Sequence, residues 1–286
     1  MHADRSSQTA EGATFIRTLH QQLPAAERVL HDPWVVQLAL FGQRWMARIP
    51  FLARQCLRKF PRMVDYVPVR DRFGDEVIDK AVGGGTRQVV ILGAGLDTIS
   101  YRTLSRHPDC VLYEVDHPAT QAMKLRRAKR LAAKFGHAIR YVAADFEVDD
   151  FREKLITAGF QPNQPSVFIW MGVIYYLSED AVKQTLSRAR DLMTVGSPLA
   201  LDFWPPSLTE ATGDPNFEAR RKTYAKMGET LKFGIEPRDL ADFVRPLGYG
   251  VNQVESINAL CRKYVRREMQ VAEGMSAAAI VAEPHE

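Results

Sequence analysis

The residues of this chain that could do chemistry gather at the ends of short apolar runs. Val89-Val-Ile-Leu92 leads straight into Gly93-Ala94-Gly95, with Asp97 and Thr98 just behind. Glycine lets a backbone turn tightly and approach a ligand closely. The next apolar run, Val111 to Asp116, ends in the acids Glu114 and Asp116. A glycine turn after one strand and an acid after the next is how a doubly wound sheet holds the ribose of an adenosine cofactor. Gly93, Gly95, Glu114 and Asp116 are therefore candidate cofactor ligands. A dinucleotide fingerprint would place a third glycine where this chain has Thr98. Asp97 beside it would repel a pyrophosphate at the helix N-terminus and suits a cofactor that carries positive charge. S-adenosyl-L-methionine (SAM) has a sulfonium, an ammonium and no phosphate, and it is the expected cofactor. Asp97 either lies near that sulfonium or caps the helix that opens at Thr98.

Such a site needs a parallel sheet to position it. The pattern predicts strands at Gln88–Leu92, Val111–Val115, Ala138–Ala143, Ser166–Trp170 and Pro198–Phe203. Helices are expected between them, at about 97–106, His117–Phe135, Phe151–Ala158 and Glu179–Met193. Before the sheet, Thr9 to Val82 reads as helical, with Asp32 capping a turn, Pro50 and Pro61 dividing short helices, and Gly83-Gly84-Gly85 stopping the last one. After it, Trp204-Pro-Pro opens an insert with helices expected at Asp214–Gly228 and Arg238–Arg245. The last strands are read at Val251–Ser256 and at Ala277–Ala282, the second returning as an edge strand. The expected fold is α/β, a doubly wound Rossmann-like sheet of seven strands. Its divisions are a helical cap (1–86), a SAM-binding core (87–204), a substrate-side insert (205–247) and the final strands (248–286).

Aromatic and acidic residues at strand ends complete the candidate list. Tyr175 and Tyr176 follow the fourth strand, and Asp202 and Trp204 close the fifth. Tyr175, Tyr176 and Asp202 are candidates for catalysis at the acceptor, although the tyrosines read equally as core aromatics. Trp45, Trp170 and Phe203 read as packing, and His117, before a proline, as a turn residue. The histidines show no ligand spacing, so no metal is expected.

Composition narrows the class further. A 286-residue chain with 46% hydrophobic and 25% charged residues is ordinary for a globular protein with a large core. No apolar run approaches the roughly 20 residues that span a bilayer, and Met1 to Glu11 lacks the apolar core of a signal peptide. A cytoplasmic protein without a membrane partner is expected. Three cysteines far apart fit reduced thiols. The net charge is +4, with basic runs at Arg54–Arg62, Arg126–Arg130, Arg220–Lys222 and Arg262–Arg267. Runs of this kind on helices are usually solvated faces, so nucleic acid is not the expected partner, and the chain is expected to be a monomer or homodimer.

Val-Ile-Leu-Gly-Ala-Gly-Leu-Asp-Thr, Glu-Val-Asp-His-Pro, Ala-Ala-Asp-Phe and Met-Gly-Val-Ile-Tyr-Tyr-Leu, in this order, resemble the class I SAM-dependent methyltransferases. More narrowly they resemble the leucine carboxyl methyltransferase family, which includes the tetracenomycin-type polyketide O-methyltransferases. The likeness runs from about Ser7 to Leu247. It implies that Arg17 lies near the methionyl carboxylate of SAM and that Arg70 holds it, a guanidinium fork matching a carboxylate. It implies ribose binding by Asp116, with Glu114 as neighbour, and adenine contacts by Asp145 and Phe146. Carboxyl methyltransferases of the family have a glutamate where this chain has Met171, a cofactor-side position, and that departure points toward the small-molecule branch. The function implied is SAM-dependent methylation of a carboxylate or phenolic hydroxyl of a small-molecule methyl acceptor, a polyketide-like or other secondary metabolite, the rivals being a non-catalytic SAM- or nucleotide-binding regulator, an RNA methyltransferase or an NAD-dependent oxidoreductase.

Overall fold

In the computed structural model, residues 8–59, 61–210, 222, 224–225, 230–265 and 274–284 are described. The apolar runs form β1 (Gln88–Leu92), β2 (Val111–Asp116), β3 (Ile139–Ala143), β4 (Ser166–Trp170), β5 (Pro198–Phe203), β6 (Tyr249–Ser256) and β7 (Ser276–Ala282). They make one seven-stranded sheet in the order β3-β2-β1-β4-β5-β7-β6. The first five strands pair in parallel, and β7 runs antiparallel to both β5 and β6. Every residue of β1 and of β4 is buried. Helices cover both faces, which is why these strands read as unbroken apolar runs rather than alternating ones.

The strand order reverses between β1 and β4. The chain leaves β1 toward one edge and β4 toward the other, so a crevice opens beyond their carboxyl ends, where open α/β sheets bind ligands.

Three expectations need correction. The last strand is not an edge strand: β7 lies between β5 and β6, and β6 is at the edge. The side chains explain it, since Ser-Ala-Ala-Ala-Ile-Val-Ala is small or apolar on both faces and buried, whereas β6 carries Asn252, Gln253 and Glu255 and is mostly half-buried. The helix expected over His117–Phe135 is two, Pro118–Arg127 and Lys129–Phe135, jointed at the fully buried Ala128. Trp170 and Phe203 are core residues, but Trp45 is 61% exposed. The helix expected over Asp214–Gly228 lies almost entirely outside the described residues.

Ahead of the sheet stand α1 (Gln8–His20), α2 (Val35–Leu38), α3 (Phe41–Arg48), α4 (Pro50–Lys59) and α5 (Pro61–Gly83). Both α4 and α5 open on proline, whose fixed φ suits a first helical position. The last helix carries Pro68 inside it. It packs on α1 and across β4, β5 and β7, so the N-terminal helices are tied to the sheet by their longest member.

Candidate cofactor and acceptor site

The turn after β1 is built by two glycines in the left-handed region, Gly93 at φ 68° and Gly95 at φ 48°. A side chain at Gly93 would put its Cβ 2.3 Å from Cγ2 of Val173, in the loop after β4. The two loops of the crevice therefore touch, and only a bare backbone fits between them. The Gly95 N–H donates to Asp116 Oδ2, and the His117 N–H donates to Asp116 Oδ1 at 2.6 Å. Asp116 is buried. Burial pushes its carboxyl up to about 6, although the two N–H groups oppose the rise. A buried carboxylate that closes on the glycine turn is well placed for ribose hydroxyls.

Beside the turn lies a buried network of arginines and carboxylates. Arg17 of α1 holds Asp71 of α5 through Nε at 2.5 Å and Asp97 through Nη2. Arg102 forks onto Asp75, at 3.0 and 3.2 Å, and its Nη1 reaches Asp97 at 3.2 Å. Asp32 accepts from Thr98 and stands 3.5 Å from Arg102. Asp97 sits at the start of the helix, as the capping reading expects. Its Oδ1 accepts the Ile99 N–H at 2.8 Å, capping the helix Ile99–Arg106, while its charge faces the arginines. Burial raises its carboxyl, but Arg17 and Arg102 outweigh burial and hold it well below the usual range.

The third group surrounds Asp202, at the end of β5. Its buried carboxylate accepts from the Tyr66 hydroxyl at 2.7 Å, from Arg70 Nη1 at 3.2 Å and from the Gly172 N–H. Arg70 Nη1 also donates to the Tyr175 hydroxyl at 2.8 Å. Tyr175 stacks on Trp204 with ring centroids 4.3 Å apart, and the Trp204 Nε1–H donates to the Tyr66 hydroxyl at 2.7 Å. Tyr176 leans on Tyr175 edge-on at 4.6 Å and remains partly exposed. The end of the insert is pinned to this wall by backbone, Lys232 N–H to the Tyr175 carbonyl and Ile235 N–H to the Trp204 carbonyl, both at 2.9 Å. Gly234 is needed there because a Cβ would meet Thr209 Oγ1 at 2.2 Å. Burial drives the hydroxyls of Tyr66 and Tyr175 well above the ordinary tyrosine range.

The structure thus brings together Arg17, Arg70, Gly93, Gly95, Asp97, Asp116, Tyr175 and Asp202. It does not bring Glu114 to the crevice: its carboxylate is buried against Lys124 Nζ at 2.7 Å, and that ammonium lies over the ring of Tyr101. Phe146 is also a core residue, edge-on to Phe151 at 5.9 Å, so its backbone is what it can offer a ligand. Asp145 stays half-exposed after β3, its Oδ1 accepting the Glu147 N–H at 3.0 Å. Met171, partly buried, begins the loop after β4 and packs on the core near Gly74. Tyr66, Asp71, Asp75 and Arg102 were missed by the sequence reading. Their signal was the helical spacing of Tyr66 and Arg70, and of Asp71 and Asp75, on α5.

Charge decides what the crevice accepts. Asp32, Asp71, Asp75, Asp116 and Asp202 are buried here and Asp97 is partly buried, against the buried Arg17, Arg70 and Arg102, with the partly exposed Arg106 also reaching Asp75. An excess of buried carboxylates repels a pyrophosphate and complements a cationic cofactor, which fits SAM. No group of three His, Cys, Asp or Glu among the described residues could hold a metal ion.

Fold and crevice define a Rossmann-like domain of the methyltransferase type. The leucine carboxyl methyltransferase family matches residues 10–190, and the chain belongs to that family. A relative in Mycolicibacterium smegmatis, provisionally named an S-adenosyl-L-methionine-dependent methyltransferase, is 34% identical over 66% of this chain and 64% of its own length. The chain thus spans less than two thirds of the length of that relative. A DUF574-family protein of Streptomyces avermitilis superposes with a TM-score of 0.62 at 15% identity, covering 98% of this chain and 99% of the other. A provisionally named methyltransferase of Thermobifida fusca gives 0.55 at 20% identity, over 93% and 97%. These two likenesses bear on the fold. The cofactor of the family relatives, S-adenosyl-L-methionine, is the one expected from the residues of the glycine turn.

Proposed function

We propose that this protein transfers the methyl group of SAM to an oxygen of a small-molecule acceptor, and that this oxygen belongs to a carboxylate. One observation carries the choice of acceptor: among the described residues, no side chain of the wall is free to take a proton. The Asp202 carboxylate already accepts from Tyr66, Arg70 and the Gly172 N–H. Burial makes Tyr66 and Tyr175 hold their protons tightly, Tyr66 donating to Asp202 and Tyr175 accepting from Arg70. A phenol would need a base to become a good nucleophile, whereas a carboxylate is ionised at neutral pH.

SAM supplies an electrophilic methyl group on a sulfonium, and the acceptor oxygen displaces the thioether in line. The chain's own residues bind and orient. Asp116 takes the ribose, the bare backbone of Gly93 and Gly95 lets the adenosine approach, and Arg17 and Arg70 face the methionyl carboxylate. The wall of Tyr175, Tyr176 and Trp204 excludes water and aligns the acceptor, and most of the acceleration comes from that alignment.

Incubation with SAM and a panel of aliphatic acids, aromatic acids and phenols tests the reading, with S-adenosylhomocysteine as the measured product. A methylated acid that mild hydroxide hydrolyses back to the acid is the expected product. Methylation of phenols alone, giving hydroxide-stable ethers, would overturn the carboxylate assignment. No turnover with any oxygen acceptor, despite SAM binding, would remove the O-methyltransferase reading.

A further inference from the structure

The helices α3 and α4 leave an apolar face without a partner. Phe41 is 80% exposed, Trp45 61% and Phe51 67%, and Leu40 and Leu52 are exposed beside them. Phe41 and Trp45 are one turn apart on α3, so they share a face, while Ala47 on the opposite side is buried. Ala53 of α4 is likewise buried, and Cys56 Sγ meets Met46 Sδ at 3.3 Å between the two helices. The hairpin is therefore seated by its small residues and presents its large ones.

Its charge says what would cover that face. Between Asp32 and Asp65 the chain carries Arg44, Arg48, Arg54, Arg58, Lys59 and Arg62 and no acid. Arg48 is exposed, one turn from Arg44. Burial, followed by repulsion from Arg127, Arg48 and Arg130, lowers the pKa of Arg44, which marks a local excess of positive charge. Arg127 is answered by Glu11. Large aromatic side chains flanked by cations alone are the pattern of helices that lie in the headgroup region of an anionic bilayer. A protein partner would need a face both apolar and acidic, whereas lipid offers acyl chains beneath a sheet of phosphates.

We propose that α3 and α4 form a peripheral docking surface for anionic phospholipid membranes, with Phe41, Trp45 and Phe51 entering the interface. No helix among the described residues is long and apolar enough to cross a membrane. The expectation of no membrane partner rested on that criterion, which a surface contact does not have to meet. In the structure α3 packs on α1, and α4 on both α1 and α5, the helices that carry Arg17 and Arg70. The inference does not depend on the methyl-transfer reading.

Co-sedimentation of the full chain with vesicles of phosphatidylcholine alone, or with one third phosphatidylglycerol, tests it. Binding to the anionic vesicles at least tenfold tighter than to the neutral ones is expected, weakening several-fold at 0.5 M salt, where screening is short-ranged. A blue shift of tryptophan emission that disappears in Trp45→Phe should accompany it. The triple variant F41S/W45S/F51S should lose at least tenfold in vesicle affinity while keeping the melting temperature and S-adenosylhomocysteine affinity of the parent. No binding to anionic vesicles, equal binding to neutral ones, or unchanged binding by the triple variant would each overturn the proposal. So would a dimer in solution that the triple variant dissolves, because the face would then join two copies. A Trp45 blue shift on adding S-adenosylhomocysteine without lipid would also overturn it, since the hairpin would then be a lid over the crevice.

Discussion

Arg70 Nη1 and the Tyr175 hydroxyl are 2.8 Å apart, joining the longest N-terminal helix to the loop after β4. The same Nη1 stands 3.2 Å from Asp202, so one guanidinium links α5, β4 and β5 behind the crevice. Arg70→Lys keeps the charge but replaces the planar fork by a single point. We expect S-adenosylhomocysteine affinity to fall at least tenfold, about 1.4 kcal/mol, by isothermal titration. Unchanged affinity with a lowered melting temperature would show that Arg70 serves Asp202 alone.

Glu114 and Lys124 separate structural from ligand-binding acids. Glu114→Gln leaves the buried Lys124 ammonium without its counter-charge, and breaking such a pair costs about 3–5 kcal/mol. Denaturant unfolding should show that loss, while cofactor affinity measured well below the melting temperature stays within about twofold, an order-of-magnitude bound on indirect effects. A selective loss of affinity with stability intact would return Glu114 to the ribose.

Asp116 gives cofactor binding a pH dependence. In the free protein burial raises its carboxyl to about 6 from an ordinary 3.8. The folded state therefore holds this proton more tightly than the unfolded chain. That makes the burial of Asp116 unfavourable to stability above about 6, a cost relieved as pH falls from 6 toward 3.8. Ribose binding by the ionised carboxylate has the opposite sense. Affinity should be flat above pH 6 and fall by up to about tenfold per unit below it. Titrations from pH 5 to 8 check this, and Asp116→Asn should bind weakly and without the bend.

Gly93→Ala tests the contact between the two loops. The new Cβ would lie 2.3 Å from Val173 Cγ2 on a backbone with φ of 68°. Together, clash and strain should cost about 1–3 kcal/mol in denaturant unfolding. Adding Val173→Ala removes the clash and leaves the strain, so it should recover part of the loss. Full recovery would mean that the positive φ carries little cost here.

The parallel half of the sheet was legible because its strands are short, all but the edge strand β3 are buried on both faces, and they are stopped by glycine, acid or proline. β1, β4 and β5 end where their residue types say they should. The place of β7 was harder to read from position alone, since pairing with β5 is a long-range contact. Gly93, Gly95 and Asp116 were legible because backbone geometry and strand ends dictate them locally. Glu114 misled because it sits two residues from Asp116, near the same strand end, and only the helix Pro118–Arg127, by bringing Lys124 over the strand, turns it into a core ion pair.

By itself, then, the sequence determined the strands, the glycine turn and the family, because each depends on neighbouring residues and their period. Only the tertiary structure decided which charges meet. Tyr66 and Asp202 are 136 positions apart, and Arg17 and Asp97 are 80 apart. Charges buried at that separation are paired by the packing of helices on the sheet, which no local pattern records.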